Sequence, residues 1–182
     1  MIPSPVNLLT HRARNRLGFC ALFAAYVAAL ALAFEHWQSG LGPLYLYPVS
    51  WLAGQILDGI GIITLLDAGQ MGAGYCVLSM ERAVFHVTYE CTGVTALIVY
   101  LAAVLAHPTS ASHRCLGVVL GGAALFAYSA LRLVVLGVVA QLWSDHTQFF
   151  HVYLLVLMNV GFMLALWGAW ARRPVLAWRG RS

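Results

Sequence analysis

Three side chains stand out for the chemistry they could do: Cys91 in "YECTGVTAL", Arg132 in "YSALRLVVL" and His151 in "FFHVYLL". A thiolate attacks a carbonyl, a guanidinium holds the oxyanion or orients the substrate, and an imidazole protonates the departing amine and then activates an acceptor. The first product of such a set is a thioester, which water, an amine or a lipid can resolve. The residue types spell covalent acyl transfer, provided that the fold brings them together.

Each residue also has a plainer reading. Cysteine is a small hydrophobe that packs well, and Cys20 and Cys115 are read that way. An arginine inside an apolar helix is costly unless it meets a partner or a polar cavity, so Arg132 is either functional or paired with Asp58 or Glu90. A single interfacial histidine often acts only as an anchor.

The elements that must position these groups are membrane helices. Of 182 residues 62% are hydrophobic and 9% charged, and mean hydropathy is +0.82, values far from those of soluble domains. The expected fold is an all-α polytopic membrane protein of one domain, 1–182, with about four transmembrane helices. They are Leu17 to Phe34, Cys91 to Ala106, Leu116 to Gln141 and Phe149 to Arg172. The first has too long an apolar run, and no clean cleavage site, for a signal peptide.

Charge sets the orientation. The chain has no lysine, and eight of its ten arginines fall at positions 12, 14, 16, 114, 172, 173, 179 and 181. Four spans put all eight on the cytoplasmic side, while Glu35, Asp67, Glu81, Glu90 and Asp145 fall outside, a positive-inside pattern. Segment 41–66, apolar but broken by Pro43, Pro48, Asp58 and glycines, is then a re-entrant or interfacial helix pair at the outer face. The glycines of "GQMGAG" and the alternation over Val84 to Tyr89 predict a small extracytoplasmic cap resembling a β-hairpin.

This topology carries Cys91, Arg132 and His151 to the outer leaflet from three different spans. It sets Cys91 at a helix N-terminus, where unpaired N–H groups and the helix dipole favour a thiolate. It sets His151 at another, which favours neutral imidazole. Arg132 falls roughly 13 Å below the outer end of its helix at 1.5 Å per residue.

The three motifs, in this order and each beside a hydrophobic span, resemble those of the exosortase/archaeosortase family of membrane cysteine transpeptidases over about residues 74–170. Membership implies that Cys91, Arg132 and His151 are catalytic. It implies as partners exported proteins with a C-terminal sorting tail, made of a short motif, one transmembrane helix and a basic cluster. It also implies a bacterial cytoplasmic membrane protein with its active site at the outer face, and the arginine distribution places both termini in the cytoplasm. No cofactor is implied. The family usually has Asn three residues before the arginine, where this chain has Ser129, whose hydroxyl has fewer donors. Without the extra N-terminal spans of longer members, the sequence resembles a compact branch of the family.

Supporting roles fall to Glu90, which could hold Arg132 or His151 or face water, and to His86 and Thr92 by their placement. Other readings remain open. Cys76 and Cys91 could form a disulfide. His86, His146, His151 and Cys91 could bind a metal, although no spacing matches a ligand motif. The chain could be a non-catalytic scaffold, assembly factor or small transporter with Arg132 in a structural ion pair. Membrane lipids are expected neighbours. Nucleic acid is not, since a pI near 9.1 follows from the topology.

Overall fold

The computed structural model of the chain describes residues 5–172, with side chains from Leu17 onward. The arginines at 12, 14, 16, 173, 179 and 181 fall outside these limits. The chain is mostly helical, with a small three-stranded sheet. Three helical stretches are long and apolar enough to cross a membrane, Leu17–Gly59, Ala111–Leu142 and Ser144–Arg172.

Helix α1 (Pro5–Leu41) runs through a π-helical turn, Gly42–Leu46, into α2 (Tyr47–Gly59). Pro43 and Pro48 sit in the first turns of the π segment and of α2, where a missing N–H is tolerated. The anticipated helix pair over 41–66 is therefore helical only as far as Gly59, and its last residues enter a strand. Helix ends at Gly59, and Asp58 Oδ1 accepts the Thr64 N–H at 2.7 Å where the chain turns into a strand. Nor is α2 a surface layer alone: its Val49, Ala53 and Leu57 are fully buried in one core with Leu133 and Val134.

The cap has one strand more than a hairpin. β1 (Thr64–Asp67), β2 (Tyr75–Met80) and β3 (Val84–Thr88) pair antiparallel in that order. Cys76, Leu78 and Met80 alternate inward onto the core, the period of a half-buried strand. Arg82, in the β2–β3 turn, donates to the Gln141 carbonyl at 3.3 Å and ties the sheet to the end of the long helix that holds Arg132.

Helix α3 (Val94–Ala106) has 13 residues, about 20 Å at 1.5 Å each, short of a bilayer core of roughly 30 Å. The span expected to begin at Cys91 begins at Val94 instead, because Gly93 takes a left-handed conformation, φ 71°, and ends the preceding turn. Helix α4 (Ala111–Leu142) follows, then a single turn α5 (Thr147–Phe149), a second π-helical turn Phe150–Leu154, and α6 (Leu155–Arg172).

Small residues on α4 let its neighbours approach, as in membrane helix packing. A Cβ on Gly121 would collide with the Tyr100 ring of α3, one on Gly117 with Trp170 of α6, and one on Gly137 with Leu57 of α2. Two cores result. One joins α2, the sheet and the later half of α4; the other joins Tyr100, Val104, Leu125, Met163 and Trp170.

Candidate active site

Cys91 lies in the turn that links β3 to α3, outside the helix. Its Sγ is 3.8 Å from His151 Nε2 and receives a hydrogen bond from the Thr88 hydroxyl at 3.4 Å. Burial raises the thiol pKa, but the hydrogen bonds from His151 and Thr88 and the His151 charge outweigh it and bring it to about 7. Activation thus comes from named partners rather than from the helix N-terminus inferred from sequence.

His151 belongs to the π-helical turn Phe150–Leu154 rather than to a helix start. The wider turn is a local insertion of the kind that recurs at functional sites. Among the described residues its Nδ1 is buried without a partner, as is the hydroxyl of Thr147 one turn earlier. A cavity of about 160 Å³ brings these groups together, walled by Phe85, His86, Cys91, Leu136, Thr147 and His151.

The strand beside the cavity meets it edge-on. Phe85, His86 and Val87 all line it, although consecutive strand residues point to opposite faces. Met80 and Ala83 exchange both backbone hydrogen bonds across the turn. Stepping by two along the register makes Leu78/Phe85 and Cys76/Val87 bonded pairs as well. Val84 and His86 therefore turn their N–H and C=O groups away from β2, toward the free edge.

Arg132 is 5% exposed and opens onto a different cavity, of about 270 Å³, with Glu90, Thr95, Val99 and Asn159 in its wall. The Cys91 turn separates the two spaces. Among the described residues, the titratable groups that act on the Arg132 charge are Cys91 and Tyr128, with no carboxylate. The pairing with Asp58 is absent, since that carboxylate caps the α2–β1 turn. Glu90 is exposed at the rim of this second cavity.

Thr92 and Ser129 face inward. Thr92 Oγ1 donates to the Tyr89 carbonyl at 2.8 Å, and Ser129 Oγ to the Leu125 carbonyl at 2.8 Å. The Tyr45 hydroxyl stands 3.2 Å from Ser129 Oγ and 3.4 Å from the Thr92 carbonyl oxygen, linking the first π-helical turn to the Cys91 turn and to α4. Both residues brace the site from behind.

Four residues of this neighbourhood escaped the sequence reading. Thr88, Thr147 and Tyr45 carry no signal beyond their type. Asn159 was visible in principle, as an amide alone within "LVLMNVGFML", where a polar side chain marks function or packing. It lies against the backbone of Gly93, so that a Cβ there would stand 3.0 Å from its Nδ2.

Cys76 and Cys91 are both free thiols, Cys76 being fully buried in β2. Among the described residues, no group of three or more His, Cys, Asp and Glu side chains converges as a metal site would.

Fold and site together define a largely helical protein, with helices apolar enough for a membrane, that holds a cysteine and a histidine at hydrogen-bonding distance in a walled cavity. No protein-family model, curated protein or solved structure matches the chain.

Proposed function

We propose that the chain is a membrane cysteine protease or transpeptidase that cleaves the C-terminal sorting tails of exported proteins, as its resemblance to exosortases implies. The observation that carries this reading is the Cys91–His151 contact of 3.8 Å within a cavity bordered by the free edge of β3. An extended peptide pairs with such an edge through main-chain hydrogen bonds, whatever its side chains, and so presents its carbonyls in register.

The Cys91 thiolate attacks the scissile carbonyl carbon. The C–N bond breaks, and protonated His151 gives its Nε2 proton to the leaving amine. Neutral His151 then takes a proton from water or another acceptor, which attacks the thioester carbonyl and expels the thiolate. Arg132, across the Cys91 turn, acts from the second cavity by orienting substrate, where a buried guanidinium without a carboxylate partner supplies an uncompensated positive charge.

In this reading the bundle crosses the bacterial cytoplasmic membrane four times, with α3 making a short crossing. The sheet and the Cys91 cavity face outward, and both ends of the chain face the cytoplasm. The test is mass spectrometry of exported proteins from cells carrying the native chain or Cys91→Ala. Precursors retaining a C-terminal hydrophobic helix and basic tail accumulate only in the mutant. Unchanged C-termini at normal levels of the mutant protein would refute the proposal.

A further inference from the structure

At the end of α3 remote from Cys91, the loop to α4 and the end of α6 enclose a cluster of cationic and aromatic side chains. Trp170 is its floor, 7% exposed, with its Nε1 donating to the His113 carbonyl at 3.2 Å. The His113 ring stacks on it at 4.8 Å, and His107 meets it edge-on at 5.4 Å. Trp167 flanks His107 at 6.4 Å. Arg114 Nη2 donates to the His107 carbonyl at 3.3 Å.

Among the described residues, three polar atoms of this cluster are buried without a partner: Arg114 Nε, Trp167 Nε1 and His107 Nδ1. The first two can only donate, and the third donates in one tautomer or when protonated. All three belong to residues that touch His107 or are His107 itself. The chain offers no acidic side chain to receive them. Its six acidic residues are Glu35, Asp58, Asp67, Glu81, Glu90 and Asp145, so α3, α4, α6 and the α3–α4 loop contain none. The charge is uncompensated enough that burial and the neighbouring His113 and Arg114 hold the His107 pKa below its ordinary value.

We propose that His107, Arg114 and Trp167 bind a phosphate group carried on the head of an anionic membrane lipid. The donor set suits a phosphate oxyanion, which accepts several N–H groups at once and is drawn by the guanidinium charge. The lipid source follows from position. The cluster stands at the ends of two helical stretches apolar enough to cross a membrane, Ala111–Leu142 and Ser144–Arg172, at the depth where headgroups lie and tryptophan concentrates. The site is independent of Cys91 and holds whether or not the chain is a peptidase.

The test uses the full chain purified in neutral detergent, titrated with phosphatidylglycerol or phosphatidylcholine and read by native mass spectrometry as lipid retained. The native chain retains phosphatidylglycerol selectively. Trp167→Phe, which keeps a ring but removes the donor, and Arg114→Gln each need about tenfold more lipid for half-saturation, the loss expected for one charge-assisted hydrogen bond. Arg82→Gln, at the opposite end of the bundle, binds as the native chain does. Equal retention of both lipids, or identical half-saturation in Trp167→Phe and the native chain with unchanged helicity, overturns the proposal. Inorganic phosphate that raises the melting temperature as much as phosphatidylglycerol does would overturn the lipid as the source.

Discussion

Nε2 of His151 stands 3.8 Å from Sγ of Cys91, across sixty residues of sequence, and the Thr88 hydroxyl closes on the same sulfur from 3.4 Å. The thiol sits at the meeting of a strand end, a turn and a π-helical segment. Its reactivity is therefore a property of the fold, and it can be measured before any substrate is known.

Alkylation of Cys91 should follow its thiolate fraction. With a pKa of about 7, the labelling rate rises through neutral pH and levels off above it, the opposite of an ordinary thiol, which is still mostly protonated there. His151→Ala removes the strongest lowering influence and leaves burial to dominate. The midpoint then moves upward, and labelling at neutral pH falls by about tenfold for each unit of that rise. Rates measured with a small alkylating reagent from pH 5 to 10 decide this, and an unchanged midpoint in His151→Ala would assign the activation elsewhere.

The free edge of β3 gives a backbone test. His86 turns its N–H away from β2, so His86→Pro removes no sheet hydrogen bond, and proline is accepted at such edge positions. A peptide adding along β3 does need that donor. Uncut precursor should accumulate in His86→Pro while the melting temperature stays within a few degrees of the native chain. His86→Ala, which keeps the N–H, should process normally.

Gly121 and Gly122 make a matched pair for the packing of α4. A Cβ at Gly121 would strike the Tyr100 ring, whereas one at Gly122 meets nothing within 4 Å. Gly121→Val should destabilise by about 1–3 kcal/mol or more through overpacking. Gly122→Ala should be neutral or stabilising by up to about 1 kcal/mol, from helix propensity. Unfolding in mixed micelles measures both.

The meeting of Cys91 with His151, the first helix and the strand over Val84 to Thr88 were legible because each leaves a mark in residue type or period. The rest left none. The run "GIGIITLL" is equally apolar as helix or strand, and only pairing with β2 makes Thr64–Asp67 a strand. The start of α3 was misplaced because Gly93 reads as an ordinary helix-tolerated glycine until its positive φ is seen. The π-helical turns that aim Tyr45 and His151 change hydrogen-bond spacing without changing composition. The division of the site into two cavities depends on side-chain directions that spacing alone does not fix.

Arg132 separates the enzymatic reading from the scaffold reading by the sign of a stability change. If it were half of a structural ion pair, removing it would strand a buried carboxylate and cost about 3–5 kcal/mol. No carboxylate among the described residues acts on it, and its surroundings in the second cavity include Val99, Val156, Val160 and Met163. Arg132→Met should therefore leave stability unchanged or raise it, because a costly desolvated charge is replaced by an apolar chain of similar length. The same substitution should stop removal of sorting tails, while Cys91 alkylation at neutral pH remains fast because its thiol is held by His151 and Thr88. Unfolding in micelles, precursor mass and thiol labelling on one variant give three readouts. A large loss of stability would return Arg132 to a structural role, and normal processing in a stable variant would remove it from the reaction.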